Sequence, residues 1–416
     1  MTRKLIQYIS KYITTLFESQ GLTQKKVLAL MFWMYFPFLE LKDTPSWERH
    51  RNYGYKVMAD PPFKGCELLS YVSINLFIER FTEWLKKSNS RKSEKPIELI
   101  ADFTKTGNKY GHRIPLLYNL YDYVHQCYIN THQICPLVIC LGEEEFVIDY
   151  ELWDPTNRKG NNQIVQEMIE RLLEYLGSYQ DGSLCLSFLH WARLTLDGGW
   201  GNGNMLNWAF KKGFNFIVFK SGGKDVVEFY WRGKRYTRTL KELESFLANS
   251  KFTTWRPFNK THNLPGVYTY LNVRLIKQNI WIKLLLICFA HGYLMLLTPN
   301  LNLQANRILK TYKRRWPIEV LIRTAKQECG LERYSFHSPD TNNIELFIGM
   351  RLLLENMIHN YRIKYTKRSK TTLKDVIIGL NKEFSKMRPN TFQKLFPAIS
   401  PVDNEPTEFV KFHFRI

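Results

Sequence analysis

Tyr312-Lys-Arg-Arg-Trp-Pro-Ile-Glu-Val-Leu-Ile-Arg-Thr-Ala-Lys326 is the stretch from which the rest of the chain is best read. It places one carboxylate, one aromatic hydroxyl and several cations at helical spacings. Glu319 and Lys326 are two α-helical turns apart, so their side chains leave the same face. Pro317 is well tolerated only at the first helical position, which predicts a helix starting at Trp316 or Pro317, and Gly330 ends it. A carboxylate able to hold a metal would then stand beside an ammonium able to hold a phosphate. Tyr312 and Arg315 fall in a preceding turn or helix, and periodicity alone does not bring them to Glu319. An exposed basic amphipathic helix would account for the same residues.

The composition frames this stretch. A chain of 416 residues with 44% hydrophobic content can bury a substantial core in two or three domains. Its formal net charge of +21 points to a polyanionic partner, for which DNA, RNA or an acidic membrane surface would qualify. The N-terminus shows no cationic, apolar and small-residue series, so no secretory signal is expected. The apolar run Val27 to Phe38 is too short to span a bilayer and reads as a core helix. Seven cysteines without a C-x-x-C pair argue against a disulfide scaffold. His125, Cys127, His132 and Cys135 have spacings a zinc site could use, although core or edge positions in a strand are the more usual account of them.

Outward from Tyr312, the pattern divides the chain. Residues 1–95 read as helical, with helices over Leu5 to Phe17, Thr23 or Gln24 to Phe36, and Leu68 to Leu85. Arg49, His50, Arg51 and Lys56 would contact phosphates or simply be solvated, and Lys86 to Lys95 reads as a linker. Ile97 to Ala101 is a short strand that delivers Asp102 to a polar turn. Cys135 to Leu141 and Glu145 to Leu152 form a predicted hairpin, and Ile164 to Leu176 a predicted amphipathic helix. Leu189 to Leu196 reads as a strand ending on Asp197, followed by a loop with four glycines, a helix over Met205 to Lys212 and a strand over Phe214 to Lys220. Each aspartate would also serve as a plain turn cap. Residues 220–295 alternate and are rich in aromatics, predicting a β-rich insertion. Asn343 to Tyr361 should be a buried helix and Thr372 to Phe384 another.

Tyr312, Arg315, Glu319 and Lys326 fit the pattern Y-x2-R-x3-E-x6-K without a gap, and the chain resembles the DDE transposases of bacterial insertion sequences, in the branch of the YREK signature (the insertion-sequence family four type). The resemblance covers roughly Ile97 to Tyr365. It implies an α/β fold: an RNase H-like catalytic core over residues 96–219 and 296–370, a β-rich insertion over 220–295, an N-terminal helical, DNA-binding region over 1–95, and a C-terminal tail over 371–416. It implies two catalytic aspartates upstream of Glu319, and Asp102 and Asp197 occupy matching places. Phe103 is bulkier than the residue usual after the first aspartate, and Gly-Gly-Trp-Gly replaces the family's Arg-Gly-Tyr-Gly after the second.

By the same resemblance, Asp102, Asp197 and Glu319 would hold two Mg2+ ions, for which Mn2+ may substitute, with Asp102 shared between them. Tyr312, Arg315 and Lys326 would grip phosphates of the element's end. In some relatives a Trp of the insertion stacks on a flipped base; Trp255 and Trp281 are the candidates, and either would also fit a β-domain core. The implied reaction is cut-and-paste transposition: end cleavage, then attack of the freed 3'-hydroxyl on target DNA. Its partners would be terminal inverted repeats, target DNA and a second copy of the chain, in the bacterial cytoplasm at the nucleoid. A nuclease of the same fold without strand transfer, and a transposase-derived DNA-binding protein without catalysis, are the alternatives.

Overall fold

The computed structural model describes residue 34 and residues 65–88, 97–107, 115–122, 126–154, 156, 159–179, 182–197, 200, 202–214, 216–220, 223–258, 266–290, 292–331, 341–365 and 373–384. The sequence-predicted helices before residue 65, apart from Met34, lie outside the described residues, as do Arg49, His50, Arg51, Lys56 and His125.

The core of the sheet is built from largely buried apolar runs. β1 (Ile97–Ala101) is buried throughout, and it lies between β4 (Cys127–Leu141), antiparallel, and β6 (Ala192–Leu196), parallel. Such continuous apolar strands require cover on both sheet faces. β5 (Glu144–Leu152) pairs with β4 as the predicted hairpin, and β7 (Phe216–Lys220) pairs parallel with β6. The central strand order is therefore β5-β4-β1-β6-β7, in which the first three strands run antiparallel in series and the last three parallel. β2 (Thr104–Gly107) and β3 (Tyr118–Asp122) pair with the first half of the long β4.

Helices cover this sheet where their apolar stripes predict. α1 (Gly65–Ser88) and the long α8 (Thr341–Tyr365) pack on β5 and on each other. α2 (Asn161–Gly177) buries Ile164, Val165, Met168, Ile169, Leu172 and Leu176, the face read from its periodicity. α3 (Ser183–Trp191) is a correction. The residues Leu189 to Trp191, read as the start of a strand, end a helix whose Leu184 and Phe188 are buried one turn apart. Phe188 meets Phe77 and Phe81 of α1 edge-on, at 5.9 and 6.3 Å, and this packing overrides the local β pattern. The strand proper begins at Ala192.

β5 would be an exposed sheet edge were it not for α8. The Asn356 side chain accepts from Val147 N–H at 2.7 Å and donates to Val147 O at 2.8 Å, taking the place of a neighbouring strand. His359 and Asn360, the next turn of the same face, bond to the carbonyls of Glu143 and Glu145. Asn356, His359 and Asn360 thus satisfy backbone groups that would be costly to leave unpaired.

The aromatic-rich stretch after Lys220 forms β8 (Val226–Trp231), β9 (Lys234–Thr239), the short β10 (Arg256–Pro257), β11 (Val267–Leu275), β12 (Ile280–Phe289) and β13 (Gly292–Thr298). These strands do not make a sheet of their own, because β13 pairs with β7 and extends the central order through β13-β12-β11-β8-β9. The stretch also contains a helix absent from the sequence reading, α5 (Leu240–Asn249). Its signal was legible: Thr239 and Glu242 form a capping box, and Leu240, Leu243 and Leu247 supply a buried stripe. α4 (Gly203–Lys211) follows β6, and α6 (Ala305–Lys313), α7 (Trp316–Gln327) and α9 (Leu373–Phe384) complete the described elements.

Candidate active site

Strand register brings the first two acids together. Ala101 stands opposite Leu196 across the parallel pair β1/β6, so Asp102 and Asp197 are the next residues on adjacent strands, about 4.8 Å apart in the sheet direction. Leu196 stands opposite Phe219 on β7, so the same step delivers Lys220 beside Asp197, and its Nζ lies 3.4 Å from Asp197 Oδ1. Lys220 escaped the sequence reading because nothing local marks a lysine at a strand end. The loops after the two acids are tied together by Phe103 and Trp200, whose rings stack at 4.6 Å. The bulky Phe103 and the retained aromatic at 200 are therefore partners.

The third acid arrives on helices. α6 lies over β6, β7 and β13, burying Ile308 and Leu309 against Val218, Leu285 and Leu296. Its last turn directs the Tyr312 hydroxyl to donate to Asp197 Oδ1 at 3.1 Å. α7 begins at Trp316 with Pro317 in its first turn, as predicted, and Gly330 (φ 74°) closes it in the left-handed region. Arg315 precedes α7 and reaches all three acids: Nη1 to Asp102 Oδ2 at 2.8 Å, Nη2 to Glu319 Oε1 at 2.5 Å, and Nη2 to Asp197 Oδ2 at 3.8 Å. Arg314, its neighbour, turns the other way and pairs with Glu98 of β1 at 3.1 Å. That second pair pins the α6–α7 junction to the strand carrying Asp102.

The electrostatics follow from this crowding. Burial pushes the Asp102 carboxyl above its ordinary range; Arg315 opposes the shift, while the charges of Asp197 and Glu319 add to it. Burial, with the negative charge of Asp197, also raises the Tyr312 hydroxyl, which stays protonated and serves as a donor. Glu98 is pushed up to about 7 by burial, against the pull of Arg193 and Arg314.

The remaining expected site residues are placed differently. Lys326 lies on the Glu319 face of α7 and donates to the carbonyl of Lys105 in β2, just beyond Asp102. Trp281 is 43% exposed on β12, three strands from β6. Register puts it four residues below the level of Lys220, so it stands about 19 Å from Asp197, and the structure does not bring it to the acids. Trp255 instead lies 6.2 Å from Tyr293, which opens β13 at the acid-bearing end. The zinc possibility fails on geometry. Cys127 and Cys135 lie on the one strand β4, about 26 Å apart, and the buried His132 has its Nε2 on Pro115 O at 2.8 Å.

Among the described residues, no three His, Cys, Asp or Glu side chains are drawn closely enough to hold a metal ion, because Arg315 takes the central place. The donor set nevertheless suits divalent cations. It consists of carboxylate oxygens, and the cation all three acids share marks where positive charge is favoured.

The fold and site thus define an α/β protein whose acids and cations meet at the carboxyl ends of adjacent parallel strands. Residues 130–354, more than half of the chain, match the family model of the transposase DDE domain, and the chain belongs to that family. It is accordingly an enzyme that acts on DNA. The match includes Asp197, Tyr312, Arg315, Glu319 and Lys326 but begins after Asp102, whose membership of the site rests on the β1/β6 register. No curated protein matches the chain. No helix among the described residues is long and apolar enough to cross a membrane.

Proposed function

We propose that the chain is a cut-and-paste transposase of the YREK branch, with Asp102, Asp197 and Glu319 as its catalytic acids on an RNase H-like core. The observation that carries this reading is the convergence of three acids from distant segments on one guanidinium, Arg315. The strand order β5-β4-β1-β6-β7, with its change from antiparallel to parallel at β1, supports the RNase H-like core.

Asp102, Asp197 and Glu319 would hold two Mg2+ ions, or Mn2+ in their place. When bound, such ions supply an activated nucleophile and neutralise charge on the leaving oxygen of a phosphodiester. The chain's own side chains do the rest. Arg315 balances the acids when no other cation does, and turns to backbone phosphates when the acids are otherwise neutralised. Tyr312 holds Asp197 in orientation through its hydroxyl, and Lys220 and Lys326 add positive charge on either side. The Phe103–Trp200 stack holds the two aspartate loops at fixed separation. The substrates would be the terminal inverted repeats of an insertion sequence and its target DNA, brought together by two copies of the chain in a bacterial cytoplasm.

The test is cleavage and strand transfer on a labelled duplex carrying the DNA that flanks the coding region, with Mg2+, Mn2+ or EDTA. We expect metal-dependent cutting at the element end, followed by joining to target. Asp102→Asn, Asp197→Asn and Glu319→Gln should each abolish both steps and leave DNA binding intact. Cutting by any of these variants at the wild-type rate would overturn the assignment.

A further inference from the structure

The far end of the sheet carries a second basic feature. β9 is the terminal strand, and with the β8–β9 turn and α5 it bounds a groove of about 1220 Å³. Arg232, Lys234, Arg238, Lys241 and Lys251 line it, against a single carboxylate among the described lining residues. That carboxylate, Glu242, is engaged by the Thr239 backbone N–H at 2.8 Å in the helix cap. The groove therefore carries five cations against one carboxylate, a clear excess of positive charge.

Two arginines in it are held in place. The Arg232 guanidinium lies 3.9 Å above the Phe252 ring, and that of Arg238 lies 4.9 Å from Phe246. Because guanidinium groups already cover these rings, the aromatics orient cations and are not platforms for unstacked bases. Arg232 also sits at φ 51°, followed by Gly233 at 78°, in a two-residue hairpin turn where Asn or Gly is the usual choice. A backbone cost is borne there by a long cationic side chain.

Register relates the groove to the acids. Lys220, level with Asp197, stands opposite Leu296, Leu296 opposite Leu285, and Leu285 opposite Tyr270. β8 is antiparallel to β11, with Glu228 opposite Arg274, so its C-terminal end, where Arg232 stands, points toward the end of the sheet that bears Asp197. Arg232 and Asp197 thus lie at the same end of the sheet, five strands or about 24 Å apart. Between them, Arg256 lies 5.4 Å from the exposed Tyr270 ring.

We propose that this groove grips the phosphate backbone of duplex DNA about seven base pairs from the phosphodiester held at the acids, a proposal that rests on the DNA-cutting reading above. The occupant is duplex because the lining's charge is carried in part by arginines ordered on Phe252 and Phe246, and because both sites lie at one end of the sheet.

The test compares wild type with the triple variant Arg232→Gln, Arg238→Gln, Lys241→Gln, and with Arg232→Gly, which suits the turn and should fold at least as well. Fluorescence anisotropy would be recorded without divalent metal, on labelled hairpin duplexes of about 6 and about 20 base pairs, over a range of KCl concentrations. We expect the triple variant to bind the longer duplex at least about tenfold more weakly, with a salt slope reduced by about 2 to 3 and unchanged binding of the shorter duplex. Arg232→Gly should lose about two- to fivefold on the longer duplex alone, the share of one phosphate contact. Unchanged affinity and salt slope on the longer duplex, or an equal loss on both duplexes, would overturn the groove and leave the cutting reading standing. A wild type that binds neither duplex would sink both.

Discussion

Replacing Arg315 by Gln tests whether the guanidinium is the cation that the three acids keep in the absence of metal. Arg315 is 15% exposed and the acids 25%, 28% and 37%, so the pairs are neither fully solvated nor dry. At an effective dielectric of about 20, unit charges about 4 Å apart interact by about 4 kcal/mol, and desolvation and screening leave a net of about 1 kcal/mol per bonded carboxylate. Loss of the two short bonds and of the charge near Asp197 should therefore cost about 2–3 kcal/mol in EDTA. The same charge is what a divalent ion must displace. Arg315→Gln should accordingly bind Mn2+ about tenfold or more tightly by calorimetry, since about 1.4 kcal/mol is a factor of ten. The melting temperature of the variant should also rise more on adding Mg2+ than that of wild type. Equal or weaker Mn2+ affinity in the variant would show that Arg315 organises the acids without competing for their ligand, and the reasoning would fail.

Phe103→Ala removes the stack that ties the two aspartate loops, and we expect a loss of about 3 kcal/mol in denaturant unfolding with a larger proportional loss of cleavage than of DNA binding. Retained cleavage per folded molecule would count against the stack as a positioning device. Asn356→Ala strands both backbone groups of Val147 at the buried edge of β5 and should cost about 2–4 kcal/mol; a loss below about 1 kcal/mol would mean that water replaces the amide. His359 is depressed to about 4 by burial, with Arg362 adding to the effect. Its folded value lies below its unfolded value, so stability is full above pH of about 6.5 and is lost as pH falls toward 4. Glu145, raised by burial to about 7, and Asp149, raised to about 6, act in the opposite sense over part of that range. The comparison with His359→Gln isolates the histidine: the stability advantage of wild type should shrink by about 3 kcal/mol between pH 7.5 and 4.5, and a gap independent of pH would refute the assignment.

Much of the candidate site's local structure was legible because its signals are local. The proline start, the glycine stop and the spacing of Glu319 and Lys326 follow from helix geometry, and the structure forms α7 over Trp316–Gln327 accordingly. β1 ended before Asp102 and β6 before Asp197 because short apolar runs closed by polar turns leave few alternatives. Where local and tertiary demands conflicted, the reading slipped. Leu189 to Trp191 alternate like a strand, yet Phe188 and Leu184 bind them into α3 beneath α1. The capping box of α5 was present in the residues but was masked by the β-like alternation around it.

The sequence by itself determined which groups the chain can offer: acids at strand ends, a helix carrying Glu319 and Lys326 on one face, and a charge of +21 that points to an anionic partner. The tertiary structure alone decided which of those groups meet. Parallel register sets Asp102, Asp197 and Lys220 side by side, the turn between α6 and α7 sends Arg315 to the acids and Arg314 to Glu98, and Asn356 closes an edge strand more than two hundred residues away. These pairings leave no periodic trace, because they depend on how strands align and helices dock, and a side chain's partner across a sheet is fixed by register and not by its neighbours in the chain.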